Sequence, residues 1–357
     1  MLRAGVIKFA LLAGACVSPA PTTIAPTPSP TREPGTYAVA AFLDLSGTRG
    51  PRGDGQRSAM QQWIDAQRGT PRLKLRIVDV AGSDARLLLE LKRAADAGDT
   101  DAFVIGVPAT IDDALAGAIA LVKRPVLFTM PIAEPTGDAA RWMFGVAPTP
   151  DAVARALVDA LPSRSTPAVI VTNGTLASGR EELALAATFR TDGRPMPFVL
   201  SAAPEQRDTF DVRSKPFFSG AGTSVFFAGP STVYLEPQRI VPAAAIAPGF
   251  MYLSYLTDAS DASRLGEAAP AVRWPGLRRP TVAGSGTHAA TATDALAILA
   301  ATADAAGDPE RTRARLEGGT FAGIATTYVF SPTRHAGVDP RELALLAWQG
   351  GRVVIAR

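Results

Sequence analysis

The chain has 357 residues, of which 47% are hydrophobic and 19% charged, and its net charge is +3. This balance suits a well-packed globular body, and acids and bases are interspersed without the basic block that a nucleic-acid-binding face requires. One cysteine, Cys16, excludes a framework of disulfides within the chain.

The N-terminus comes first in chain order. Arg3 and Lys8 precede a short apolar run, Phe9–Ala15, that ends at Cys16. Small residues before a lone cysteine suit a lipoprotein signal, in which a peptidase cleaves and the thiol carries the lipid, so 1–16 reads as signal and lipidation site. Ser18–Pro34, almost entirely Pro, Thr, Ser and Ala, cannot bury a core, so residues 17–35 read as an extended tether. No later segment offers the ~20 uninterrupted apolar residues of a spanning helix. The expectation is an extracytoplasmic, lipid-anchored protein, periplasmic or on the cell surface.

Strands then alternate with amphipathic helices. Tyr37–Asp44 is a near-continuous apolar strand, and the Gly- and Arg-rich loop Ser46–Gly53 leads to a helix over Gln56–Gln67. Leu73–Val80 is a strand, Asp84–Ala97 a helix, Ala102–Ile105 a strand, Ile111–Leu121 a helix and Val126–Phe128 a strand. The pattern restarts with a helix over Asp151–Leu161, capped by Thr149 with Pro150 in its first turn. Strands at Ala168–Val171, Ser224–Phe227 and Gly249–Leu256 follow, with a helix over Gly179–Arg190 between the first two. An Ala-rich helix, His288–Ala306, and a shorter one opening at Asp308-Pro309 precede two extended stretches, Ala322–Phe330 and Glu342–Ala356. Asp339-Pro340 is an alternative helix start within the last of these. Repetition of this kind implies parallel strands with right-handed helical crossovers, in two doubly wound Rossmann-like α/β lobes.

The order of landmarks resembles the type I periplasmic binding proteins, specifically the branched-chain amino-acid (Leu/Ile/Val) receptors of ABC transporters. These landmarks are Leu45-Ser46-Gly47, Val104-Ile105-Gly106, Val126-Leu127-Phe128 with Pro131, the Ala-rich Thr291–Ala301, and Gly323, Phe330 and His335-Ala336-Gly337. The resemblance covers most of Thr36–Arg357. It implies a ligand cleft between the lobes, three crossings between them near Ala147, Tyr255 and Tyr328, and closure on the ligand. Lobe 1 is then 36–147 plus 256–327, and lobe 2 is 148–255 plus 328–357.

Such receptors hold a ligand carboxylate with hydroxyls and backbone N–H groups at helix N-termini, where the helix dipole favours an anion. By resemblance, Ser46, Gly47, Ala109 and Thr110 fall at these positions. Thr110-Ile111-Asp112-Asp113 also has the form of a capping box, a role compatible with ligand contact. The third contact loop corresponds to Pro131-Ile132-Ala133-Glu134, where Ala133 and Glu134 are placed at the ligand. Glu134 stands where the family usually carries a small hydroxyl residue, so either it points away or the ligand presents a cation there. Arg49 and Arg52 offer positive charge in the first loop, or are solvated loop arginines. In the second lobe Ser178 replaces a common aromatic, Gly229-Pro230-Ser231-Thr232 is placed at the cleft through Pro230, and no acid for a ligand ammonium group is identified.

Other features are set aside. A Walker loop, a G-x-G-x-x-G and a G-x-S-x-G are all absent, and His288 and His335 have no Cys or His partner at metal-ligand spacing. Trp63, Trp142, Trp274 and Trp348 read as packing residues, with Trp274, in the loop Arg273–Pro280, best placed to reach the cleft. The expectation is a monomeric, non-enzymatic receptor without cofactor or metal. It captures an amino acid or related carboxylate and delivers it to an ABC permease. The alternative is a sensor, or a lipoprotein that docks on an envelope enzyme.

Overall fold

The computed structural model describes residues 35–47, 50–68, 71–203, 213, 222–229, 251–254, 269, 271–282 and 286–356. The expected signal, Cys16 and tether, together with Arg49, Pro230 and the Tyr255 crossing, lie outside these residues.

Two sheets organise the body. The first contains β1 (Thr36–Leu43), β2 (Arg72–Asp79), β3 (Ala102–Ile105), β4 (Val126–Phe128) and β5 (Met143–Gly145), all parallel, in the order β2-β1-β3-β4-β5. Its crossovers are α1 (Gly50–Ala66), α2 (Asp84–Ala97) and α3 (Asp113–Val122). Alternate residues of β1 enter different cores, as a period of two demands of a sheet covered on both faces. Val39, Ala41 and Leu43 join a core that runs on into the second lobe, while Ala40 and Phe42 pack with Leu91, Phe103 and Leu115.

The second sheet has the order β14-β13-β10-β9-β8-β6-β7. Its members are β6 (Ala168–Thr172), β7 (Phe198–Ser201), β8 (Ser224–Phe227), β9 (Met251–Leu253), β10 (Val272–Leu277), β13 (Leu343–Gln349) and β14 (Arg352–Ile355). Helices α4 (Pro150–Asp159) and α5 (Leu176–Thr191) belong to this lobe and pack on one another. The caps expected at α4 are present: the Thr149 side chain accepts from the Ala152 N–H, and Pro150 occupies the first turn.

The chain returns to the first lobe through α6 (Arg278–Val282) and α7 (Thr287–Thr302), which packs against α1. Helix α8 (Pro309–Glu317) and the hairpin of β11 (Thr320–Ala322) and β12 (Thr327–Val329) follow. Asp294 of α7 fastens this hairpin, accepting from the N–H groups of Ile324 and Ala325 at 2.7 and 2.8 Å and from the Tyr328 hydroxyl at 2.9 Å.

Two expected crossings move. Strand β10, placed in lobe 1 by the 256–327 span, pairs with β9 and β13, so the return follows Leu277. Trp274 is fully buried in that second sheet's core and does not reach the cleft. The final crossing comes later than Tyr328, because residues 335–337 still bond to β5 of the first sheet: Gly145 N–H donates to the His335 carbonyl and Gly337 N–H to the Gly145 carbonyl. Helix α1 also starts at Gly50, not Gln56, and takes in Arg52 and Gly53. A Cβ at Gly53 would lie 1.7 Å from the Asp44 carbonyl oxygen, so only glycine permits this approach of α1 to the end of β1. The terminal segment combines both alternatives, a 3-10 turn over Pro340–Glu342 and then the β13–β14 hairpin.

Candidate functional site

The cleft lies where the loops after the first sheet's strands meet the start of the second lobe. Its first-lobe wall is Pro108, Ala109 and Ile111 after β3, and Met130, Pro131, Ile132 and Ala133 after β4. Pro150 and Val153 of α4, Arg180 and Glu181 of α5, and Ser254 after β9 form the facing wall. The two first-lobe loops are pinned from below by one buried amide. Gln56 of α1 donates from Nε2 to the Gly106 carbonyl at 2.8 Å and accepts from the Thr129 hydroxyl at 2.8 Å.

Glu181 is the distinctive group. Its Oε2 accepts from the Gly229 N–H at 3.0 Å and from the Ser254 hydroxyl at 2.8 Å, while Oε1 is buried without a hydrogen-bond partner. Burial pushes its pKa up to about 7, against the opposing pull of the Ser254 and Gly229 hydrogen bonds. Beside it, Arg180 donates from Nη2 to the Ile111 carbonyl at 2.7 Å, across the cleft.

The residues expected at the ligand divide. Ala109 and Ala133 line the cavity. Ser46 and Gly47 are exposed in the first loop, where Ser46 bonds to Asp79, and neither lines it. Arg52 is buried within α1 and is no solvated loop residue. Thr110 lies in a separate hollow between α2 and α3, and the cap it was expected to provide comes from Asp112, whose side chain accepts from the Leu115 N–H. Ser178 is wholly buried and structural: its hydroxyl accepts from Asn173 N–H and donates to the Ala228 carbonyl, joining the ends of β6 and β8.

Glu134 turns to the backbone instead of the cavity, its Oε1 accepting from the His335 N–H and its Oε2 from the Ala336 N–H at 3.1 Å. The carboxylate conflict posed by the sequence is thereby removed.

Arg180, Glu181 and Ser254 were not singled out from the sequence. Arg180 and Glu181 sit in a charged run, Arg180-Glu181-Glu182, that resembles a solvated helix face. The available signal was Thr175, which accepts from the Ser178 N–H and so starts α5 three residues before the expected Gly179. Among the described residues no cluster of His, Cys, Asp and Glu suits a metal ion, and no helix is long and apolar enough to cross a membrane.

No family profile and no curated protein matches the sequence. Solved structures do match. An extracellular ligand-binding receptor from Rhodopseudomonas palustris HaA2 superposes with a TM-score of 0.75 at 14% identity, covering 90% of this chain and 99% of its own. A leucine binding protein from Thermotoga maritima gives a TM-score of 0.74 at 14% identity, with 90% and 98% covered. An ABC-transporter solute binding protein from R. palustris, solved with benzoate, gives 0.71 at 16% identity, with 90% and 95% covered. At such identities the likeness is one of architecture, and the two-lobed α/β fold of this chain is that of the type I periplasmic binding proteins.

Proposed function

We propose that this protein is an extracytoplasmic solute receptor that captures a small polar ligand between its lobes and delivers it to an ABC permease. The observation that carries the reading is the cleft itself. Apolar loops from one lobe face Arg180, Glu181 and Ser254 of the other, so a bound solute touches both walls and its binding energy favours their approach. The leader supports anchoring through a lipid on Cys16, which incorporation of labelled fatty acid, lost in Cys16→Ser, would test. Docking on an envelope enzyme is the weaker reading, because Glu134, one of its two motives, has a structural role.

Small-angle scattering across a library of amino acids, carboxylates, amines, amides and sugars tests the receptor reading. A ligand-dependent fall in radius of gyration is expected. Profiles that stay constant with every solute would contradict it.

A further inference from the structure

We infer that Glu181 is the specificity-determining residue of the cleft and selects a solute that carries a protonated amine on an apolar body. The inference rests on the reading of the cleft as a solute site. Oε2 is satisfied by two donors, whereas Oε1 is buried and has none. A buried carboxylate oxygen without a donor is costly, and a ligand N–H that reaches it recovers that cost.

The charge of the missing donor follows from the surroundings. Pro108, Ala109, Ile111, Met130, Ile132 and Ala133 present no hydroxyl or cationic side chain to hold a carboxylate. Ser46, Arg52 and Thr110, the side chains expected to hold an anion, are not among the lining residues, and Arg180, the cation among the described lining residues, is exposed and turns an Nη2 donor to the Ile111 carbonyl. A ligand carboxylate at Glu181 would meet like charge in a desolvated place, whereas an ammonium group brings opposite charge and three donors. The hydrocarbon part of such a ligand fits against Met130, Ile132, Pro150 and Val153.

Arg180 and Glu181 are the titratable groups among the described lining residues. The elements packed around Glu181 add Glu182 on its own helix and Asp151, Arg155 and Asp159 on α4, of which Arg155 pairs with Asp192 and Asp159. Across the cleft, Asp112 is committed to capping α3 and Asp113 is exposed beside it.

The test is calorimetric titration of the full chain with two matched probe series: 3-methylbutylamine and 2-phenylethylamine against 4-methylpentanoate and 3-phenylpropanoate. The amines are expected to bind, with affinity rising about tenfold from pH 6 to pH 8 as Glu181 ionises around its pKa of about 7. Glu181→Gln keeps an acceptor for Gly229 and Ser254 and is expected to lose amine binding while remaining folded. Three results would overturn the inference alone: carboxylates binding in place of amines, amine binding unchanged in Glu181→Gln, or some other solute class binding while both series fail. Failure of every solute in the wider library would overturn the receptor reading as well.

Discussion

Arg180 of the second lobe donates to the backbone carbonyl of Ile111 in the first, 2.7 Å away, and so closes a hydrogen bond across the cleft. Opening the lobes breaks it. The side chain is exposed, so the bond contributes about 1 kcal/mol, enough to bias the balance between open and closed forms. Arg180→Ala is expected to weaken solute binding about fivefold in calorimetry and to raise the radius of gyration of the unliganded protein. Unchanged affinity and dimensions would show that this bond does not bias closure.

Glu181 makes stability depend on pH. The native group holds its proton to about pH 7, against an ordinary value of 4.5 in the unfolded chain, so the native state binds more protons between these limits. Its contribution is therefore full below about pH 4.5 and is lost as pH rises through 7. Glu181→Gln removes that loss. From pH 5 to pH 8 the stability of the variant relative to the native sequence should rise by roughly 2–3 kcal/mol, read from urea unfolding at both pH values. A constant difference would mean that Glu181 does not titrate in this range.

Glu134 separates structure from binding. Its carboxylate holds the His335 and Ala336 N–H groups where the chain runs beside β5 before its last crossing. Glu134→Ala should cost about 1 kcal/mol, a drop in melting temperature of about 2 °C, with solute affinity unchanged. A loss of affinity without loss of stability would return this residue to the ligand.

Gln56 couples the two properties. Its amide joins Gly106 and Thr129, directly before the loops that carry Pro108, Ala109, Met130 and Ala133. Gln56→Ala leaves the buried Thr129 hydroxyl and Gly106 carbonyl without this partner and should cost about 2–3 kcal/mol. Solute affinity should fall with it, whereas stability lost at unchanged affinity would mean that the loops hold their shape unaided.

The fold was largely legible in the sequence because apolar strand runs and capped helices announce themselves locally. Ala102–Ile105, Val126–Phe128 and Asp84–Ala97 match their expected bounds. Strand β10 was hidden because Pro275 and Gly276 interrupt it. The pairing with β9 involves Val272 and Arg273, so Pro275 lies beyond that ladder and costs it no hydrogen bond. Strand β5 ends in Gly145 and β7 follows Pro195 and Pro197, residues that locally signal turns rather than strands. The site was less legible, because its polar groups converge from distant segments. Glu181 meets Gly229 and Ser254 only once β8 lies beside β6 and β9 beside β8, and no local spacing encodes that meeting.

Solute binding between the lobes can be read in a thermal-melt screen of the native chain beside Ala133→Trp, whose indole would fill the cavity that Ala133 lines. A solute at about 100 times its dissociation constant adds roughly 2.7 kcal/mol, a shift of several degrees. One solute class is expected to raise the native melting temperature, and the shift is expected to disappear in Ala133→Trp. An equal shift in both proteins, or none in the native chain with any class, would contradict solute binding between the lobes.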